Sequence, residues 1–535
     1  MAFVIDKRIL GTYVAYLTAP GLGSWSFVSE LLENRGRSFR SGHKCARHTI
    51  HTAPEASSQN QSAMSMLSRS GRSCLPFLFV VSLAGSALAA QKEAARPDLI
   101  FVQAAVVQAG NPAERFPQGS RIARLDRRSA LPTNLTAEFF AAADPQVSFD
   151  GSKILFAAKE KPASPWQVWE MNADGTAKRQ VTHCPDDCLR PAYLPREEIV
   201  YTALTHAGAD SASQSYVSKR DGSEEHPITF GPGDYEVETV LQNGTILASA
   251  RSPLLPAGAG LALAGKPVAR GLYTLRPDGS GLAAFRSDDG TPVTRSEAAE
   301  LDDGSVVFVK RDATSQAAVG QLAMVRRGAL HNSRLGASSG LACAPKRLSA
   351  DTLAVARASA SGKPKFDLYA FDTARGQFTE LIYRDPKLSS LAAVPVAAHA
   401  TPRWYWSTLN PALQEGYFIC LDSHTSGDGL RGRGAASLSK VRVLALESAS
   451  GRERSLGEAP IEKDGSFYLA VPPDRPVRFE LLDAAGRVVS EQRSWIWSRS
   501  GEEHGCVGCH ENRALAPENR WPLALRRFDA PIRLK

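Results

Sequence analysis

The sequence is poor in the features that announce most enzyme classes. Its 535 residues contain no Gly-rich phosphate-binding loop, no nucleophile elbow set between a strand and a helix, and no His-Glu-x-x-His. Nucleotide hydrolysis, serine-hydrolase and zincin chemistry therefore have no support. Cysteine is scarce at eight residues, too few for a disulfide scaffold, so each has to be weighed singly. Long apolar runs are missing with one exception, which excludes a polytopic membrane protein. Sustained helical periodicity is rare, which excludes a coiled coil. An excess of one charge is also missing from most of the chain. Lys and Arg total 63 against 55 Asp and Glu, and residues 1–89 hold nine of the former and four of the latter. The remainder carries 54 against 51, so the net +8 falls to +3. No nucleic-acid partner follows from that balance.

The one apolar run reads MSMLSRSGRSCLPFLFVVSLAGSALAAQ over residues 64–91. Arg69 and Arg72 precede an apolar stretch from Leu75 to Leu83, and Ala87-Leu88-Ala89 fits a small-x-small cleavage pattern. The run is short for a membrane span, so residues 64–89 are expected to be a signal peptide, with no stable span after cleavage. Residues 1–63 show no structural period and are expected to be a disordered upstream extension from a mis-assigned start. Export would place the chain in a periplasmic or other exported compartment, where disulfides form.

Residues 95–400 show short apolar strands broken by Asp-Gly and Asn-Gly turns. One series leads through Asp150-Gly151, Asn243-Gly244 and Asp303-Gly304; a second ends at Asp174-Gly175, Asp221-Gly222 and Asp278-Gly279. A four-stranded unit cannot bury both faces alone, and radial stacking of such units makes a β-propeller. PQVSFDGSKILFAA…QVWEMNADGTAKRQVT resembles the repeat of TolB-like propellers. Five units are clear, and DLIFVQAAVV with GSRIARLD beside it would complete a sixth. The fold class is thus mainly β: a propeller of about six blades, then a small β-sandwich-like module over 401–500 and a haem-binding segment over 501–535. In the module Val441, Val443 and Ala445 alternate along one strand, and Asp464-Gly465 and Ala485-Gly486 supply turns.

Cys506-Val507-Gly508-Cys509-His510 is Cys-x-x-Cys-His, the c-type haem attachment motif. Two thiols at this spacing each bond a porphyrin vinyl group, and the adjacent His reaches the iron from the proximal side. No second Cys-x-x-Cys exists to complete a four-thiolate zinc site. One covalent haem c is expected at Cys506, Cys509 and His510. The residues after His510 offer no His, Met, Cys or Tyr, so a distal protein ligand has to come from upstream, with His424 and His399 the favoured candidates. An open iron is the other outcome, and it separates an enzyme from an electron carrier; Asp422, His424 and Asp428 would be its acid–base groups.

A second cluster packs His183, Cys184, Asp187 and Cys188 into one loop. All donor types for zinc are present. Two close cysteines in an exported protein more commonly form a disulfide, so Cys184–Cys188 is favoured and zinc stays open. Cys343 and Cys420 are a further pair to consider.

The order of parts, with LGEAPIEKDGSF, LLDAAGRVV and SWIWSRSGEEHGCVGCHENRALAPEN, resembles the hydrazine synthase alpha-subunit family over roughly residues 95–530. The resemblance implies a periplasmic c-type haem protein with a propeller beside the haem module, working with other subunits. In the family a second haem motif follows, the His of the middle-module motif turns to zinc, and a Tyr four residues on takes the iron. Here that position is Ala514 and there is one motif. Ordinary His510–iron ligation is therefore expected, and hydrazine synthesis is not. The leading expectation is an exported monohaem c-type cytochrome that exchanges electrons with a periplasmic redox partner protein. If the iron is open, the chain is a haem-dependent oxidoreductase on a small nitrogen or oxygen species. The alternative is a propeller-based protein- or glycan-binding scaffold with a structural or sensory haem.

Overall fold

A computed structural model describes residues 97–535 except 127, 130, 208–209, 252–269, 286–292, 313–314, 316, 326–332, 336–339, 359–364, 426–437, 448–451, 493 and 509–519. The expected extension and signal peptide lie outside the described residues, as do Cys509, His510, Ala514 and Asp428.

The turns explain the strands. At Asp150-Gly151 the Gly151 N–H donates to Ser148 O at 2.8 Å, and Asp150 Oδ1 accepts the Ser152 N–H at 3.0 Å. Gly151 has φ 78°, a conformation that costs a side-chain-bearing residue. The Ser148 hydroxyl, with the N–H and hydroxyl of Ser152, holds the Asp150 carboxyl at about 2. The same construction, a type I turn ended by a left-handed glycine, recurs at residues 174–175, 221–222, 243–244, 278–279 and 303–304.

These turns join strands into six four-stranded blades. Blades 2 to 6 begin with the innermost strands Ala141–Val147, Cys188–Leu194, Tyr235–Val240, Val293–Glu300 and Ala342–Arg347, and each continues outward through antiparallel neighbours. Blade 1 takes strands from both ends of the region. Its innermost strand Ser389–Pro395 pairs antiparallel with Leu99–Ala104, which is followed by Arg121–Leu125 and Thr133–Asn134. One parallel pair, Arg270 opposite Thr294, ties blade 4 to blade 5. No sheet closes on itself. The ring closes by contact instead: each innermost strand touches the next, and Ser389–Pro395 touches both Ala342–Arg347 and Ala141–Val147.

Apolar packing between neighbouring blades holds this propeller-like ring. Six clusters fill its six joints, for example Ile100, Ile154 and Phe156 between blades 1 and 2, and Phe101, Ala354 and Leu368 between blades 6 and 1. Both faces of a strand are covered, so successive residues serve different joints. Leu155 packs toward blade 3, while Ile154 and Phe156 pack toward blade 1. That is why these strands read as continuous apolar runs rather than as alternation.

After Pro395 the chain crosses the turn-bearing face of the ring. His399 N–H donates to Phe149 O at 2.9 Å and Arg403 N–H to Gln242 O at 3.0 Å, and Arg196 stacks on Trp404 and Trp406. It then enters a sandwich of two four-stranded sheets. The first contains Glu503–Cys506, Gly416–Cys420, Phe467–Val471 and Ile532–Arg533; the second contains Arg452–Pro460, Leu438–Glu447, Val477–Asp483 and Val488–Glu491. Phe418, Val441, Val443, Leu469, Phe479 and Leu481 fill the space between them. The tail of the chain thus supplies two strands to the first sheet. The sandwich rests on blade 4, where buried Trp497 donates to Gly279 O at 3.2 Å and meets Tyr235 edge-on, and Arg499 reaches Asp278 O at 2.8 Å.

Phe101 is fully buried in the joint that closes the ring. Phe101→Ala is expected to lower stability by about 3–5 kcal/mol in urea unfolding of the whole chain. A loss below about 1 kcal/mol would show that closure does not depend on this strand.

Candidate functional site

The motif-bearing strand Glu503–Cys506 lies at the edge of the first sandwich sheet. It runs parallel to Gly416–Cys420, with His504 opposite Phe418 and Cys506 opposite Cys420. Cys420 is buried in the sandwich core, and half-buried Cys506 packs against that core from the strand end. The two strands finish side by side, so the segments that follow them meet. Leu421 N–H donates to Cys506 O at 2.9 Å.

The loop after Cys420 is organised by one carboxylate. Asp422 Oδ1 accepts the His424 N–H at 3.0 Å and lies 3.2 Å from His424 Nδ1, while Asp422 Oδ2 accepts the Thr425 hydroxyl at 3.1 Å. Arg520 approaches the same oxygen at 3.7 Å and donates to Asp464 O at 2.7 Å. Burial works against ionisation of Asp464, but the Ser466 hydroxyl and the N–H groups of Leu523 and Ser466 outweigh it and lower its pKa. Asp464 thereby pins the short helical turn Leu523–Arg526 to the Asp464-Gly465 turn.

Two glycines let these segments touch. A Cβ on Gly508 would stand 2.3 Å from Thr425 O, and one on Gly465 would stand 2.3 Å from Asp422 Oδ1 and 2.7 Å from His424 Nδ1. Gly508 lies inside the Cys-x-x-Cys-His sequence, so the motif presses directly on the Asp422–Thr425 loop. Ser423 Oγ in that loop is buried and has no hydrogen-bond partner among the described residues. The His424 ring thus lies beside the Asp422 carboxylate, and an imidazole is a residue type able to serve as a metal ligand or a general base.

Other candidates fall elsewhere. His399 packs on Phe149 at 5.5 Å, with Nδ1 at 3.4 Å from Ala397 O, on the ring rather than on the motif loop. Burial lowers its pKa. His504 packs on Phe418 at 5.5 Å, with Nδ1 3.8 Å from Glu502. Cys184 and Cys188 form a disulfide, which takes both thiols, so the zinc reading of His183, Cys184, Asp187 and Cys188 is corrected. Asp187 accepts the Trp166 N–H at 2.8 Å, His183 is exposed, and no group of three metal-binding side chains occurs among the described residues. Cys343 lies in the central core of the ring and Cys420 in the sandwich core, so these two do not pair. Asp464, Ser423 and Arg520 carry no sequence motif; only the Asp-Gly turn hinted at Asp464.

No helix among the described residues is long and apolar enough to cross a membrane. Residues 424–511 match the hydrazine synthase alpha subunit middle domain. The hydrazine synthase subunit alpha of Kuenenia stuttgartiensis is 23% identical over 77% of this chain. The chain spans 65% of the length of that subunit. The solved hydrazine synthase of the same organism superposes over 81% of this chain and 71% of that one, with a TM-score of 0.70 and 21% identity. A TolB structure from Acinetobacter baumannii matches 58% of this chain and 69% of that one, with a TM-score of 0.41 and 13% identity. The match to the middle domain falls on the sandwich and its motif, and the relatedness runs through the ring as well: the chain belongs to a family related to the hydrazine synthase alpha subunit.

Proposed function

We propose that this chain is an exported monohaem c-type protein, built on a six-bladed TolB-type propeller, that works in electron transfer with a periplasmic redox partner protein. The observation that carries the proposal is the contact of Gly508 with the Asp422–Thr425 loop. It sets an imidazole and a fixed carboxylate against the haem attachment motif.

The residues present suit the group. Cys506 is half-buried at a strand end rather than sealed in the core, and the adjoining loop holds, at Ser423, a buried hydroxyl with no hydrogen-bond partner among the described residues. Cys506 and Cys509 would hold the porphyrin as thioethers and His510 would bind the iron. Haem c, once attached, supplies a one-electron iron couple. Asp422 accepts the His424 backbone N–H and lies 3.2 Å from its ring, so the loop keeps the imidazole beside the motif, where it would be the residue to supply a further iron ligand. Arg520 balances the Asp422 charge. The sandwich core beneath Cys506 keeps water from one side of the site. Ala514, where the resembled family has a Tyr that takes the iron, supports electron transfer over the synthase reaction.

Protein recovered from the exported fraction is expected to give one covalent haem per chain in a pyridine haemochrome assay, and none after Cys506→Ser with Cys509→Ser. Wild-type protein without covalent haem would sink the proposal. His424→Ala is expected to convert a low-spin ferric spectrum to high-spin and to open the ferrous form to carbon monoxide. A spectrum that stays low-spin and inert to carbon monoxide removes His424 from the iron.

A further inference from the structure

The motif strand stands beside a further thiol. Glu503–Cys506 runs parallel to Gly416–Cys420, and the register sets His504 opposite Phe418 and Cys506 opposite Cys420. Alternate residues of a strand share a face, so these two pairs lie on the same side of the sheet. That side is the sandwich core. Phe418 and Cys420 belong to the core cluster, and Cys506 packs against it. The first pair shows that opposed side chains meet on this face, because the His504 and Phe418 ring centroids are 5.5 Å apart. The second pair sets two thiols in the same relation. The Leu421 N–H donates to Cys506 O at 2.9 Å, so the strands are held together at this level.

Neighbouring strands lie about 4.8 Å apart, within the roughly 4.4–6.8 Å between Cα atoms that a disulfide spans. Two core-facing thiols on opposed residues can therefore join by side-chain rotation, without separating the strands. The other cysteines are disposed differently. Cys184 and Cys188 are joined to each other, and Cys343 lies in the ring. Cys509 is the competing thiol, since it shares the motif with Cys506. Cys420 and Cys506 also differ in access. Cys420 is 2% exposed, whereas Cys506 is half-buried at the strand end. An oxidant meets Cys506 first, and Cys420 is placed to resolve the species that forms there.

We propose that Cys420 and Cys506 form a disulfide in the chain before haem is attached, a reversible lock on the attachment motif. Its consequence rests on the reading of the chain as exported and haem-bearing; the bond itself needs only the two thiols and an oxidant. The oxidant is a disulfide, of which an exported compartment holds a supply. The Cys506 thiolate attacks one sulfur of that disulfide and expels the other as a thiolate. The Cys420 thiolate then attacks the Cys506 sulfur and expels the second. Two protein thiols give up two electrons and two protons, and one disulfide becomes two thiols. The Cys506 sulfur cannot hold this bond and a thioether together, because a thioether forms by adding its S–H across a vinyl group. A dithiol reverses the lock and releases Cys506 to the porphyrin. Attachment then leaves Cys420 as a thiol in the core.

The full chain, exported by cells that lack haem-attachment machinery, supplies the protein for the test. It is equilibrated with oxidised and reduced glutathione and quenched in acid. Its thiols are capped with N-ethylmaleimide in denaturant, and its peptides are mapped by mass spectrometry without reduction. The expected main species has Cys420 joined to Cys506 and Cys509 capped, with Cys184–Cys188 as the internal control for oxidation. The link should persist in Cys509→Ser and be lost in Cys506→Ser, where Cys420 is capped. Protein that carries covalent haem should also have Cys420 capped. A Cys506–Cys509 disulfide with Cys420 capped overturns the proposal. So does a mixed disulfide of Cys506 with glutathione, or capping of all three thiols while Cys184–Cys188 is joined. If a variant does not fold, the wild-type map decides. A chain that forms the link yet takes no haem when the machinery is present keeps the lock and loses the haem reading; a chain that takes haem and never forms the link does the reverse.

Discussion

Closure of the ring is the constraint on which the other features rest. Leu99–Ala104 pairs with Ser389–Pro395, and the two strands are separated by nearly the whole propeller-like region. Closing so long a loop is entropically tolerable, because the cost grows only with the logarithm of its length, about 0.6 kcal/mol per doubling. What the pairing creates is larger. It brings Phe101 against Ala354 and Leu368, and Ile100 against Ile154 and Phe156, so one strand completes two apolar joints at once. The chain then leaves blade 1 at Pro395 on the turn-bearing face. That exit fixes where His399, Arg403 and Trp406 lie and carries the sandwich to blade 4.

Closure also determines the chemistry of the axis. Six innermost strands cannot converge without bending, and each bends at a bulge that leaves backbone donors unpaired by the ladder. Apolar residues there would strand those donors, so acidic side chains from neighbouring blades take them: Asp144 accepts the Arg190 N–H, Glu238 that of Glu297, and Glu297 that of Ala344. The guanidiniums of Arg115 and Arg311 and the Ala344 N–H overcome burial and hold the Glu297 carboxyl at about 2. Glu297 therefore stays ionised down to strongly acidic pH, and its contribution to stability, present above the ordinary carboxylate pKa, is lost as the pH falls toward 2. Such a network is a poor source of net stability, because desolvation offsets most of the attraction. It specifies neighbours instead: each carboxylate fits one bulge of one blade, which opposes a shift of blade order or register.

The blade repeat was legible because its turns are chemically local. Asp-Gly and Asn-Gly carry their own hydrogen bonds and their own backbone conformation, and the leftover apolar strand DLIFVQAAVV, with GSRIARLD beside it, pointed to a sixth unit. The axial charges were not legible, since Asp144, Arg190 and Glu297 acquire partners only from other blades. A faint signal existed in Asp144-Pro145, Arg190-Pro191 and Ala344-Pro345, where a proline within an apolar strand marks a bulge. At the candidate site Cys506, Cys509 and His510 were legible as a motif, whereas the choice between His424 and His399 was not. Both lie far upstream, and only the parallel pairing of Gly416–Cys420 with Glu503–Cys506 brings one of them to the motif. The two strands of the tail were missed for a similar reason. EHGC is short and polar, and its pairing is parallel and long-range.

That parallel pair gives the matched segment its logic. Residues 424–511 begin at His424 and end one residue beyond His510. They form no self-contained unit in the sandwich, because Gly416–Cys420 precedes them and Ile532–Arg533 follows them. They do have a geometric unity: Thr425 near the start touches Gly508 near the end, and Gly465 between them packs on Asp422 and His424. A stretch whose ends and middle meet at one loop is defined by that meeting point rather than by a core of its own. Substitution at Gly465 or Gly508 would separate the segments while leaving Phe418, Leu469 and Phe479 in place, since the core lies between the sheets and not beneath the loop. Folding of the sandwich and assembly of the site are therefore separable properties of this chain, the first carried by apolar residues and the second by two glycines and the Asp422 carboxylate.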